Sequence, residues 1–263
     1  MGEQYTHGLL DAWRKWNCGS HPFVLAGDEY LLVGPKSRAL VAPPYSSWDA
    51  LTQDSDFGRS GDRRLHLDLV PVPFTGDVER AKVVLLLLNP GLEPGDYFGE
   101  FEVPGFRARL VDNLHQDFSK TEYPFVYLDP AFAWHPGYRW WHGKFQGVIA
   151  ALAKQWHASY ADARCHFAKI MACIELVPYH SVSYGLPEKI CKQLPSVRLA
   201  RDYVRDVLRS RSESGDVLIV VTRKSSMWEL DKSNNVIIYN GSETRAAHLT
   251  PKSRGGAGIV PFF

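Results

Sequence analysis

The chain has 263 residues, 45% of them hydrophobic, and a formal net charge of +1 at pH 7 with its ten histidines counted as neutral. That length supports one large domain, or a domain with an elaborated terminus, around a sizeable core. The balanced charge excludes a protein coated in basic surface, although a local basic groove is compatible with a neutral total. Cys18, Cys165, Cys173 and Cys191 lie far apart with no C-x-x-C pair. They read as reduced thiols of an intracellular protein, not as a disulfide frame or a zinc site. No apolar run approaches membrane-spanning length and no secretory pattern is present, so the expectation is a soluble, cytoplasmic protein.

In chain order, the first 80 residues read as an N-terminal elaboration. They carry a helix near Tyr5–Trp16, short strands near Tyr30–Val33 and Ala39–Val41, and a polar loop through Ser60. Leu65–Pro73 alternates between apolar and polar residues and leads through Phe74-Thr-Gly-Asp77 into the principal strand. That strand is Val83–Leu88, an unbroken apolar run of the kind buried on both faces inside a parallel sheet. Further buried strands are predicted at Ile170–Val177, Asp216–Val221 and Val236–Tyr239, with helical patterns near Phe106–His115, Gly143–Trp156 and Ser196–Ser210. Strands alternating with helices imply an α/β fold with a parallel sheet. The segment Phe132–Trp141 mixes rings with His135, Pro136, Gly137 and Arg139 and fits neither period, which predicts a loop carrying exposed rings.

Each apolar run exits into polar, turn-forming residues: Asn89-Pro90-Gly91, Pro178-Tyr179-His180-Ser181, Thr222-Arg223-Lys224-Ser225-Ser226 and Asn240-Gly241-Ser242. Proline cannot continue a ladder, and open α/β sheets bind ligands beyond the carboxyl ends of their strands. Taken alone, Asn-Pro-Gly is ordinary turn chemistry. Agreement among several exits is what points to a single site. Glu175, inside an apolar run, is costly to bury unless paired; a structural ion pair or a solvent-facing strand end is the plainer alternative to a ligand contact. Glu93, Glu100 and Glu102 read first as solvated loop charges.

The ordered set resembles the uracil-DNA glycosylase superfamily over roughly residues 70–250. Asn89-Pro90-Gly91 matches the first motif of its mismatch-specific and thymine-DNA branches, and Asn240-Gly241-Ser242 stands where those branches have Asn-Pro-Ser, with glycine replacing proline. The resemblance implies a three-layer α/β sandwich with a central, mainly parallel four-stranded sheet. It makes residues 1–80 an elaboration packed on a glycosylase-like domain of residues 81–263. Asn89 would position the attacking water, with Asn240 (His248 being the alternative) at the last motif and His180 stabilising negative charge on base or phosphate. Pro90, Gly91, Tyr97, Phe98, Glu175 and Ser242 would line the base pocket, a ring at 97 or 98 stacking on the flipped base. Core packing is the alternative for those rings.

Gly91 stands where strict uracil enzymes carry a tyrosine that blocks substituents on pyrimidine C5, so a 5-substituted base could enter. A carboxylate at Glu175 suits the exocyclic amine of cytosine. With the ring-rich segment, the chain looks similar to a phage-defence glycosylase acting on glucosylated 5-hydroxymethylcytosine. Arg223, Lys224, Ser225, Arg245, His248, Lys252 and Arg254 suit phosphate contacts. The expected partner is DNA, duplex with a flipped modified base, with no membrane, no obligate protein partner, no metal and no cofactor. No motif lysine compels a lyase mechanism, although Lys224 leaves that open. The rivals are a uracil or mismatch repair glycosylase, a non-catalytic nucleic-acid-binding module on the same fold, and another α/β hydrolase or transferase.

Overall fold

A computed structural model describes residues 8–19, 21–59, 61–241 and 249–263, the side chain of Lys36 excepted. The chain divides into two compact units woven from alternating segments. One comprises residues up to Pro73, Asn89–Gln116 and Glu175–Val204; the other comprises Phe74–Leu88, Asp117–Ile174 and Arg205–Phe263.

The second unit holds the sheet. Its strands are β1 (Phe74–Thr75), β2 (Val83–Leu87), β3 (Met171–Glu175, whose last residue belongs to the first unit), β4 (Leu218–Val221) and β5 (Val236–Ile238), in the order β1-β3-β2-β4-β5. β2, β4 and β5 are mutually parallel, with Val84 opposite Ile219 and Val220 opposite Ile237. β1 runs antiparallel to β3, pairing Phe74 with Ile174. The sheet is therefore mixed and five-stranded, not the four-stranded one expected. The extra strand is only two residues long, too short to show a period. Gly76 (φ 91°) makes its approach possible, because a Cβ there would lie 2.5 Å from the Met171 carbonyl oxygen.

Every residue of β2 is buried, as its unbroken apolar run requires. Charges fix the parallel register where these strands begin. Asp216 accepts from Lys82 Nζ and, at 2.7 Å, from Arg211 Nε, while Arg211 also donates to the carbonyl oxygens of Val78 (3.2 Å) and Ala81 (2.6 Å). Lys82 first, then Arg211, holds the Asp216 carboxyl below its usual range. At the carboxyl ends, Thr222 donates from both its backbone N–H (3.0 Å) and its hydroxyl (3.1 Å) to Leu86 O, tying β4 to β2.

The segment expected to be a loop with exposed rings is helical. A short 3₁₀ turn covers Pro130–Phe132, and a helix runs Pro136–Gln155. His135 caps it, Nδ1 accepting from Gly137 N–H at 3.0 Å, and Pro136 sits at the first helical position. The residues that broke the period are thus the start signal of the helix. Trp141 is buried against Phe125 and Phe145, whereas Trp140 is 48% exposed. The predicted helix at Ser196–Ser210 is realised as Pro195–Tyr203, a π-helical turn at Val204–Leu208 and Arg209–Glu213.

The first unit is largely helix and turn. Gly8–Arg14 and Phe106–His115 form helices where expected, but Glu29–Leu32 is helical instead of extended, and Val41 makes only an isolated bridge to Leu65. The alternating stretch from Leu65 likewise forms no continuous strand; His66 bridges His180 in antiparallel fashion.

Candidate active site

Within the first unit, two of the predicted exits meet. The Asn89 amide nitrogen donates toward Ser181 Oγ (2.8 Å), Pro90 O (2.9 Å) and Tyr179 O (3.3 Å). Two of these acceptors are backbone carbonyls, which cannot donate, so the amide must present its NH₂ group to them. Its Oδ1 makes no hydrogen bond among the described residues, and the side chain is half-buried. Asn89 is therefore an oriented hydrogen-bond acceptor.

His180 acts on the same turn. Its Nδ1 lies 2.8 Å from Gly91 O, which fixes the proton on that nitrogen and leaves Nε2 bearing a lone pair in the neutral ring. That Nε2 is buried and has no hydrogen-bond partner among the described residues. At 3% exposure, the ring is buried against the Asn89-Pro90-Gly91 turn and holds it in place. Ser181 N–H also points at Pro90 O, at 3.4 Å.

Gly91 is exposed, and a Cβ built there meets nothing within 4 Å. A side chain at position 91 would therefore have free space on this side of the turn. Of the two rings expected to stack on a base, Tyr97 is fully buried, with its hydroxyl donating to Asp68 Oδ1 at 2.7 Å. It belongs to the core. Phe98 is 37% exposed and meets Trp48 edge-on at 5.4 Å. Glu175 is buried at the end of β3, its N–H donating to Pro73 O at 2.9 Å.

The same unit contains a polar chain that the sequence reading passed over. The Tyr97 proton is committed to Asp68, so its oxygen accepts from His66 Nδ1, 2.8 Å away. Asp68 Oδ2 accepts from Tyr45 N–H at 2.7 Å. Burial pushes the His66 imidazole down to about 4, keeping it neutral. The available signal was the alternation of Leu65–Leu69, which gives His66 and Asp68 the same parity. Asp96 caps the helix Pro94–Glu102 by accepting from Glu93 N–H at 2.7 Å, and burial raises its carboxyl to about 6 against the opposing influence of His180. Glu100, expected in solvent, is buried. It accepts from Val70 N–H (2.9 Å) and Arg107 Nε (3.0 Å), and burial lifts its carboxyl to about 8 against the pull of Arg107.

No family model, curated protein or solved structure matches the chain.

The other predicted site residues belong to the sheet unit. Asn240 is exposed after β5, followed by Gly241 at φ 56°. Arg223 and Lys224 are exposed after β4, Lys224 adopts a left-handed conformation (φ 51°), and Ser225 is half-buried. Lys252 is exposed and Arg254 half-buried at the start of the helix Arg254–Phe262. Ser242, Arg245 and His248 lie outside the described residues. Among the described residues no cluster of three or more His, Cys, Asp or Glu is arranged to hold a metal ion, and no helix is long and apolar enough to cross a membrane.

Proposed function

We propose that this chain is a monofunctional DNA glycosylase, built on a uracil-DNA-glycosylase-like three-layer fold, that removes a flipped 5-modified pyrimidine and leaves an abasic site. One observation carries the reading: the Asn89 amide is clamped by its nitrogen on Ser181 and two carbonyls, leaving Oδ1 as a fixed acceptor at a strand exit. Such an oxygen suits holding a water by one hydrogen and aiming its lone pair at a sugar carbon. In the reaction, the bond from C1′ to the base nitrogen breaks and its electron pair leaves with the base. Water oxygen bonds to C1′, and the proton it sheds balances the charge on the departing base.

An amide is no base, so the reading places bond cleavage ahead of water deprotonation. His180 is a positioning residue in this scheme, acting through Gly91 O. The open space at Gly91 favours a substituted pyrimidine over a flat uracil, and glucosylated 5-hydroxymethylcytosine is the candidate of greatest bulk. The buried carboxylate Glu175 favours a cytosine amine as the group recognised.

The test is incubation of the purified chain with duplexes carrying cytosine, uracil, thymine mismatches, 5-hydroxymethylcytosine or its glucosylated form, followed by alkali. Strand breaks at a modified pyrimidine that vanish in Asn89→Ala are the expected result. Breaks at uracil or thymine mismatches alone would shift the substrate to a repair role. No alkali-labile site on any duplex would overturn the reading, and full activity in Asn89→Ala would overturn the site.

A further inference from the structure

His66 and His180 lie opposite each other across an isolated antiparallel bridge, the His66 N–H donating to His180 O at 2.9 Å. Residues directly opposite in such a pair send their side chains to the same face, with Cβ atoms about 5 Å apart. Both rings are buried, at 2% and 3% exposure. Each has its tautomer fixed from behind. His180 Nδ1 donates to Gly91 O, and His66 Nδ1 donates to the Tyr97 hydroxyl, whose own proton is committed to Asp68. Both Nε2 atoms therefore carry lone pairs, and both are buried with no hydrogen-bond partner among the described residues. A buried acceptor left unsatisfied is costly, and two on one face require a reason.

The groups behind the rings indicate what the lone pairs are for. A histidine that ligates a metal through one nitrogen donates from the other to a carbonyl or a carboxylate, which fixes its tautomer and its aim. His180 has the carbonyl, and His66 has the carboxylate of Asp68 relayed through Tyr97. Zinc takes three or four protein ligands, and among the described residues no third His, Cys, Asp or Glu completes a metal-binding group with this pair. Around His66 stand the rings of Tyr45 and Phe57, with centroids 6.5 and 6.1 Å away. Two neutral nitrogens in apolar surroundings suit an ion of single charge that is content with two ligands in line. Burying a single charge is also less costly than burying a double one.

We propose that His66 and His180 form a two-coordinate site for the cuprous ion, Cu(I), held between their Nε2 atoms. Two metal–imidazole bonds of about 2 Å each span about 4 Å, a gap that rings rooted about 5 Å apart can close. Ligation uses lone pairs already present, so no bond breaks, no proton leaves and the ion keeps its oxidation state. Exposed Gly91, whose carbonyl holds His180, brings the site close to the surface. A water donating to both nitrogens is the rival occupant. The inference is independent of the glycosylase reading.

The test is anaerobic titration of the full chain, its accessible thiols alkylated, with Cu(I) buffered by bicinchoninate, followed by X-ray absorption at the copper edge. Uptake of one equivalent, with nitrogen neighbours and no sulfur, is the expected result. His66→Gln and His180→Gln should each abolish that uptake. Tyr97→Phe keeps both ligands but removes the group behind His66, and should weaken binding about tenfold or more. Thermal melts identify any variant that fails to fold, and the wild-type absorption spectrum stands without them. No uptake by the alkylated chain would overturn the proposal and leave water as the occupant. Sulfur in the copper spectrum, undiminished uptake in either folded histidine variant, or uptake of Zn(II) in preference to Cu(I) would equally overturn it.

Discussion

The orientation of Asn89 can be tested by replacing its amide with the isosteric acid. In Asn89→Asp an ionised oxygen replaces the nitrogen that now faces Pro90 O, Tyr179 O and Ser181 Oγ. An amide has two N–H groups, so at most two of the three contacts form together, at about 1 kcal/mol net each. Asn89→Ala should therefore lose about 2 kcal/mol. Asn89→Asp should lose about 4 kcal/mol at pH 7, because it forfeits the same bonds and also holds a carboxylate against carbonyl oxygens. Protonation restores one donor, so the folded protein binds that proton more tightly than the unfolded chain does. The extra penalty of the Asp variant is thus absent well below the unfolded pKa of about 3.9 and grows as pH rises through and above it. Urea unfolding of wild type and both variants, at pH 7 and in mild acid, measures this directly. If Asn89→Asp matches wild type at pH 7, or is no worse than Asn89→Ala at any pH, the assigned amide orientation is wrong, and with it the fixed Oδ1.

Gly91 has no left-handed backbone and open space at its Cβ. Gly91→Ala should accordingly be neutral or stabilising by up to about 1 kcal/mol through the unfolded chain, and Gly91→Tyr should fold while losing activity on the bulkiest base first; melting curves and the alkali assay read the two effects. His66, neutral when folded and protonated when unfolded between about 4 and 6.5, contributes stability present above 6.5 and lost as pH falls toward 4. Its share is at most about 3 kcal/mol, and His66→Gln should flatten that acid limb. Asp96, raised to about 6, acts oppositely, so the wild-type-minus-variant difference is the quantity to follow. Arg107→Ala removes the guanidinium from the buried Glu100; because that carboxyl is raised to about 8 and is mostly protonated at pH 7, the loss should be about 1 kcal/mol there and grow as pH rises above 8, and adding Glu100→Gln should abolish that growth, as urea titrations would show.

Much of the fold was legible because its strands are buried runs. Val83–Leu87, Met171–Glu175, Leu218–Val221 and Val236–Ile238 all fall inside predicted strands, and Phe106–His115 is bounded as its pattern predicts. The misses share a cause, which is that local pattern needs length. Phe74–Thr75 has too little of it, and Glu29–Leu32 is a single turn of helix whose apolar residues imitate a strand. At Trp134–Trp141 the period was broken by the very residues, His135 and Pro136, that start a helix.

The site divides the same way. From the sequence alone came the polar exits, the amide at Asn89 and the missing side chain at Gly91, because residue type and position after an apolar run require no partner to be read. Only the tertiary structure decided that Asn89 turns its nitrogen to Ser181, that His180 binds Gly91 O, and that Tyr97 spends its hydroxyl on Asp68 beneath His66. Ser181 is 92 residues from Asn89 along the chain, and His66 is 31 from Tyr97. Hydrogen bonding is directional and short-ranged, so which donor faces which acceptor is set by the packing that brings such distant segments together.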